Sequence, residues 1–165
     1  MSDDTLVTKH PEFDRVMADL AARGGKPSEP MERFLAALGG AGDPTAFLAD
    51  DVEMVDWTRT GQVFKGKAEV IETSFGDIPK STPDYGFDVV TAVASGDLLL
   101  ICGFFHATFT QDLPSYKATN RRVRWEARDI YGFRGEEVDR IWWANDTFTV
   151  KRMLGAPVDH THFWD

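Results

Sequence analysis

The sequence predicts an α+β fold in which helices pack on one face of a curved, mostly antiparallel sheet. Three observations carry that expectation. Apolar residues recur at helical spacing through the N-terminal part of the chain. From Phe87 onward they alternate in steps of two instead, the period of strands with one buried face. These strand-like segments follow one another with no helix between them, so sequence neighbours pair antiparallel.

The elements follow in order. Segment 12–23 places Phe13, Val16, Met17 and Leu20 on one helical stripe, with Pro11 suited to its first turn and Gly24-Gly25 to its end. Ser28 can cap a second helix whose buried stripe is Met31, Phe34, Leu35 and Leu38, stopped by Gly39-Gly40. Asp43-Pro44 joins a capping residue to a first-turn proline, so a third, short helix carries Phe47 and Leu48. Residues 52–57 make the first strand, and 66–75 a further helix with Val70 and Ile71 on its buried side. A loop over 76–85 leads to strands at 87–94 and 98–110, joined as a hairpin by Ser95-Gly96-Asp97. After a polar loop at 111–120 come strands 121–134 and 138–147, turning at Arg134-Gly135-Glu136. A short helix over 147–154, closed by Gly155 and Pro157, ends the pattern.

Strand 121–134 holds the most informative residue. Val123, Trp125, Ala127, Tyr131 and Phe133 share one face, and Arg122, Arg124, Glu126, Arg128 and Arg134 the other. Asp129 breaks this division, because its parity puts it among the apolar side chains. A carboxylate there is either hydrogen-bonded at a cost or kept for a shifted proton affinity. Val52, Met54 and Asp56 also share a face. Asp56 is therefore either a strand-end residue bonding the loop 58–61 or a second acid in apolar company.

His106 alternates with Leu98, Leu100, Cys102 and Phe104. An imidazole there can act as a general acid or base, although a satisfied core or interface histidine is the commoner outcome. Trp125, Tyr131, Trp142 and Trp143 can line a cavity for a ring-shaped ligand or simply fill the core. His160 and His162 have the spacing of a metal pair on an extended strand. With no third ligand nearby they read as ordinary tail, and no metal is expected.

Bulk properties narrow the function. At 165 residues the chain reads as one domain, long enough for a core without staples. A net charge of −9 argues against nucleic acid as a partner, since Arg121, Arg122 and Arg124 make only one solvated strand face. The acidic start has no apolar run behind it, and residues 98–105 are too short to cross a bilayer. A single cysteine, Cys102, permits no internal disulfide, so a cytoplasmic location is expected. Phosphate-loop, dinucleotide and nucleophile-elbow motifs are missing, and no cofactor is expected.

Several strings carry a resemblance: Met-Glu-Arg-Phe-Leu-Ala-Ala-Leu at 31–38, Phe-Leu-Ala-Asp-Asp-Val-Glu-Met-Val-Asp at 47–56, Phe-Lys-Gly-Lys at 64–67, and the ending 146–155. With the element order, they resemble the nuclear transport factor 2-like superfamily, nearest its ketosteroid isomerases and SnoaL-like polyketide cyclases. The likeness spans 28–155, leaving 1–27 as a helical extension and 156–165 as a tail. It implies a cone-shaped sheet with N-terminal helices on its concave face, an apolar pocket between the layers, and a homodimer formed through the open sheet face.

The resemblance also implies roles. Asp56 matches the proton-shuttling acid of the isomerases. Asp129 matches the acid that stays neutral in an apolar site and donates to the enolate oxygen. The isomerases' early-helix phenol falls at Phe34, a departure that argues against a steroid isomerase. The cyclases' catalytic acid on the last strand aligns with Trp143. Asp146 then reads as a helix cap, or, with a one-residue bulge, as a catalytic candidate.

The function expected is acid/base (enolisation) chemistry on a small hydrophobic carbonyl or polyketide-like compound. Phe34, Trp57, Trp125, Tyr131, Trp143 and Asn145 would shape the pocket. A dehydratase or cyclase using His106 and Asp146, and a binding or dimerisation module without catalysis, are the alternatives.

Overall fold

Alternation in the second half of the chain becomes a sheet, and the helical stripes become its cover. The computed structural model describes residues 6–7, 11–57, 61–74, 82–112, 117–146, 150 and 152–155. In chain order its elements are β1 (Leu6–Val7), α1 (Phe13–Arg23), α2 (Glu29–Ala36), β2 (Leu48–Asp56), β3 (Gln62–Lys65), α3 (Lys67–Ser74), β4 (Gly86–Ser95), β5 (Leu98–Thr108), β6 (Arg122–Arg134) and β7 (Glu137–Trp143). A π-helical turn, Ala37–Ala41, prolongs α2. The short helix expected after Asp43-Pro44 is a 3-10 turn, Pro44–Phe47, begun by an Asp43 carboxylate that accepts from the Thr45 N–H at 2.8 Å.

The strands form one curved sheet in the order β3-β2-β7-β6-β5-β4, with β1 beside β6 off that path. The β4–β5 and β6–β7 hairpins turn at Gly96 and Gly135, whose φ of 61° and 68° lie in the left-handed region that glycine tolerates best. Register shifts at Val89/Thr91 and Gly132/Phe133 add the local bend that curves the sheet. β3 lies outside the expected elements, because four residues are too few to show a period. β2 pairs parallel with β7, and it starts at Leu48, earlier than the expected residue 52, because Leu48 is level with Val138. Among the described residues no helix is long and apolar enough to cross a membrane.

The two faces of the sheet are covered differently. On the concave face, Leu99, Ile101 and Phe105 of β5 meet Trp125, Ala127 and Tyr131 of β6 in the main core. There α2 presents Phe34, whose ring lies 4.8 Å from that of Tyr131 and 5.8 Å from that of Phe133. Burying such a ring contributes about 2–3 kcal/mol. Helix α1, unlike the expected packing of the N-terminal helices on the concave face, takes the opposite one: Phe13 and Met17 pack on Cys102 and Phe104, residues of the other parity on β5. Of the terminal helix expected over 147–154, Val150, Arg152 and Met153 are helical; residues 147–149 and 151, like His160 and His162, lie outside the described residues.

Candidate active site

Strand parity and register bring the two inward acids into one row. Asp129 follows Ala127 on the concave face of β6, Asp56 follows Met54 on that of β2, and both are 1% exposed. Asp56 is level with Trp143 of β7. The pairs Ile130–Trp142 and Ala127–Asn145 set Trp143 level with Asp129 as well. The acids thus stand two strands apart, about 10 Å between backbones, with Trp143 between them.

Asp129 is held by three donors. The backbone N–H of Ala144 reaches its Oδ1 at 3.1 Å, and the Trp143 indole and the Tyr131 phenol donate to the same carboxyl. Burial pushes its proton affinity up, the three hydrogen bonds pull it down, and the nearby Asp56 charge pushes it up again. The outcome is a pKa of about 7. Ala144 spends its N–H on this side chain rather than on the β6 backbone, and β7 stops at Trp143, short of the expected residue 147. Burial and the Asp129 charge hold the Tyr131 phenol far above its usual value, so it remains a donor.

Between α2, its π-helical turn and the concave face lies a cavity of about 410 Å³, a size suited to a small organic molecule. Phe34, Met54, Tyr131, Ile141 and Trp143 border one end, and Tyr85, Phe87 and Phe105 continue the wall towards β4. Neither Asp56 nor Asp129 is among the described residues bordering it. Tyr131 and Trp143 carry the polar contact from Asp129 to the wall. The Tyr131 phenol of β6 lies against Phe34, the two rings 4.8 Å apart.

A family model described as a SnoaL-like domain matches residues 31–141. The chain belongs to the SnoaL-like domain family. Among curated proteins none matches it. Solved structures with the same fold include a protein of Jannaschia sp. CCS1 described as a SnoaL-like polyketide cyclase, with a TM-score of 0.67 at 14% identity over 82% of this chain and 100% of that one. A protein of Catenulispora acidiphila with a ketosteroid isomerase-like fold, in complex with trimethylamine, gives 0.60 at 16% identity over 85% and 99%. TerC, co-crystallised with polyporic acid, gives 0.59 at 16% identity over 78% and 99%.

In this SnoaL-like chain the remaining candidates separate. His106 is among the residues at the β4 end of the cavity, but on β5 it has the parity of Phe104, the face opposite the one that holds Asp129. Trp125 is buried next to the wall: its indole donates to Asn145 Oδ1 at 3.3 Å and its ring stacks on Phe105 at 5.7 Å. Neither Trp125 nor Asn145 is among the described bordering residues. Trp57, expected in the pocket, is 52% exposed and also absent from that wall, because it follows the strand end and takes the outward parity. Asp146 accepts the Val150 N–H at its backbone oxygen, at 3.3 Å, and is not among the described residues bordering the cavity. Tyr85 belongs to the wall without a signal in the sequence. It lies just before β4, in a stretch without periodicity, and its ring stacks on Phe105 at 5.6 Å. Phe87 had a signal, being directly across from Phe105 in the hairpin.

Proposed function

We propose that the cavity performs acid/base chemistry on a small, largely apolar carbonyl compound, enolising it towards isomerisation or ring closure. The observation that carries this reading is the buried Asp129 carboxyl joined to the Tyr131 phenol, which borders the cavity. When Asp129 holds its proton, its O–H can donate to the Tyr131 oxygen, and the phenol hydrogen is released to the substrate carbonyl. Negative charge developing on that oxygen then meets a fixed donor in a site of low dielectric. Asp56, buried behind the bordering side chains, takes the proton from the adjacent carbon as its C–H bond breaks, once a side-chain rotation opens it to the cavity. Returning that proton to another carbon gives the isomer; attack of the enolate carbon on a second carbonyl of the same molecule closes a ring, and the alkoxide so formed takes the proton back from Asp56. Trp143, level with both acids, is the wall between base and donor.

Deuterium uptake from D₂O into benzoylacetone, followed by NMR, tests the reading. Wild-type protein should accelerate exchange, and Asp129→Asn, Asp56→Asn and Tyr131→Phe should each remove on the order of 100-fold or more of that acceleration. The position of both carboxyls behind the bordering side chains favours a second reading, a binding module without turnover. Saturable binding of benzoylacetone with no accelerated exchange would select it.

A further inference from the structure

We propose that Tyr85 is a second hydroxyl donor of the cavity, and that together with Tyr131 it selects a 1,3-dicarbonyl compound over a ketone with one oxygen. This deepens the reading above and rests on it for the base, Asp56; the Tyr85 contact itself does not depend on turnover. Tyr85 stands two residues before Phe87 and shares its face, the one on which Phe87 meets Phe105. Its ring stacks on Phe105 at 5.6 Å and lies 6.4 Å from Trp125, both residues of the concave face. Phe105 in turn meets Trp143 at 6.3 Å, and the Trp143 indole donates to Asp129.

The hydroxyl end of Tyr85 lies in the same region. Burial pushes its phenol far above the usual value, and the Asp129 charge adds to this. Tyr131 is pushed up by burial, by Asp129 and by Tyr85 as well. Charges act on one another in this way only across short distances, so the two phenols and the Asp129 carboxyl converge. Both tyrosines border the cavity, and both keep their protons at neutral pH.

The two phenols are differently engaged. That of Tyr131 is bonded to Asp129. Among the described residues none is hydrogen-bonded to the Tyr85 hydroxyl. The chain that carries it is nevertheless fixed. The Tyr85 N–H donates to the Thr82 oxygen at 3.0 Å, closing a turn over Pro83 and Asp84. The Asp84 carboxylate accepts from the N–H and the hydroxyl of Thr108, each at 2.7 Å, which pins this turn to the end of β5. A phenol held in place without a partner in the fold is a donor prepared for a ligand.

Two donors and a carboxylate base select the chemistry. A carboxylate is a weak base, and a C–H flanked by two carbonyls is far more acidic than one beside a single carbonyl. Passing that proton to Asp56 leaves one negative charge shared by the two oxygens. Tyr131 and Tyr85 then hold one oxygen each.

The test titrates the full chain by calorimetry with benzoylacetone and butyrophenone, one carbon skeleton with and without the second carbonyl. The second oxygen should tighten binding by about tenfold, the worth of one net hydrogen bond. That preference should collapse in Tyr85→Phe, which keeps the ring that stacks on Phe105. If Tyr85→Phe does not fold, ¹³C NMR of the wild-type chain labelled at tyrosine Cζ serves instead, and the Tyr85 signal should shift more with benzoylacetone than with butyrophenone. Equal affinities, a preference that survives Tyr85→Phe, or an unmoved Tyr85 signal each overturn the proposal. Failure of the catalytic reading looks different: no accelerated deuterium exchange into benzoylacetone, with its preferred binding intact.

Discussion

A carboxyl group without water to solvate its charge keeps its proton until the medium is nearly neutral, and Asp129 is such a group. Its folded pKa of about 7 stands above the ordinary 3.8, so between these values the folded chain binds a proton that the unfolded chain has released. Stability from this group is therefore present below about pH 4 and is lost as pH rises towards 7, by about 4 kcal/mol at most. Asp129→Asn keeps the acceptor for Ala144 and carries no charge at any pH. We expect it to flatten this slope and to be more stable than wild type at pH 8, as read from urea melts at pH 5 and pH 8. Parallel slopes in the two proteins would mean that Asp129 is ionised throughout. Parity alone identifies the inward placement of Asp129, and it leaves Asp56 open between a strand-end residue and a second inward acid. It could not show that a phenol and an indole would take the bonds of one of them, since those contacts depend on side-chain rotamers and on a strand distant in sequence.

At the scale of elements, α1 seals the outer face over β4 and β5. Its Phe13 lies 5.0 Å from Phe104, and Cys102 beneath is 1% exposed. Burial pushes the Cys102 thiol up to about 11. Wild-type protein should react with a disulfide reagent only on the timescale of opening. Phe13→Ala, which removes about 3–5 kcal/mol of packing from this small satellite cluster, should speed the reaction at least severalfold without loss of the main sheet signal in circular dichroism. An unchanged rate would show that Cys102 is sheltered by the sheet alone. Helical spacing made α1 and α2 legible, and alternation made the two hairpins legible, because both patterns are local. Which face each helix covers was not: Phe13 and Phe34 look alike in sequence, and only the partners, Phe104 for one and Tyr131 for the other, separate them.

At the scale of the whole molecule, the parallel contact of β2 with β7 sets the character of the fold. Hairpins join neighbours, but this pairing joins the first long strand to the last and closes the row that holds Asp56, Trp143 and Asp129. Long-range pairing is slow, because loop entropy is lost before the contact forms. We expect refolding in milliseconds to seconds, with tryptophan fluorescence from the Trp143 region lagging behind the hairpin signal in stopped-flow circular dichroism. Coincident traces would place the β2–β7 pairing among the early events.

That same pairing bears on synthesis. Asp56 leaves the ribosome about ninety residues ahead of the strand that will shelter it. Throughout that interval β3 is the strand that β2 can pair with, and the edge that β7 later covers beside Val52 and Met54 stays open. The nascent chain is for that period a half-built wall with an unprotected edge, and its yield in a cell should depend on the chaperones that guard it until translation passes residue 143.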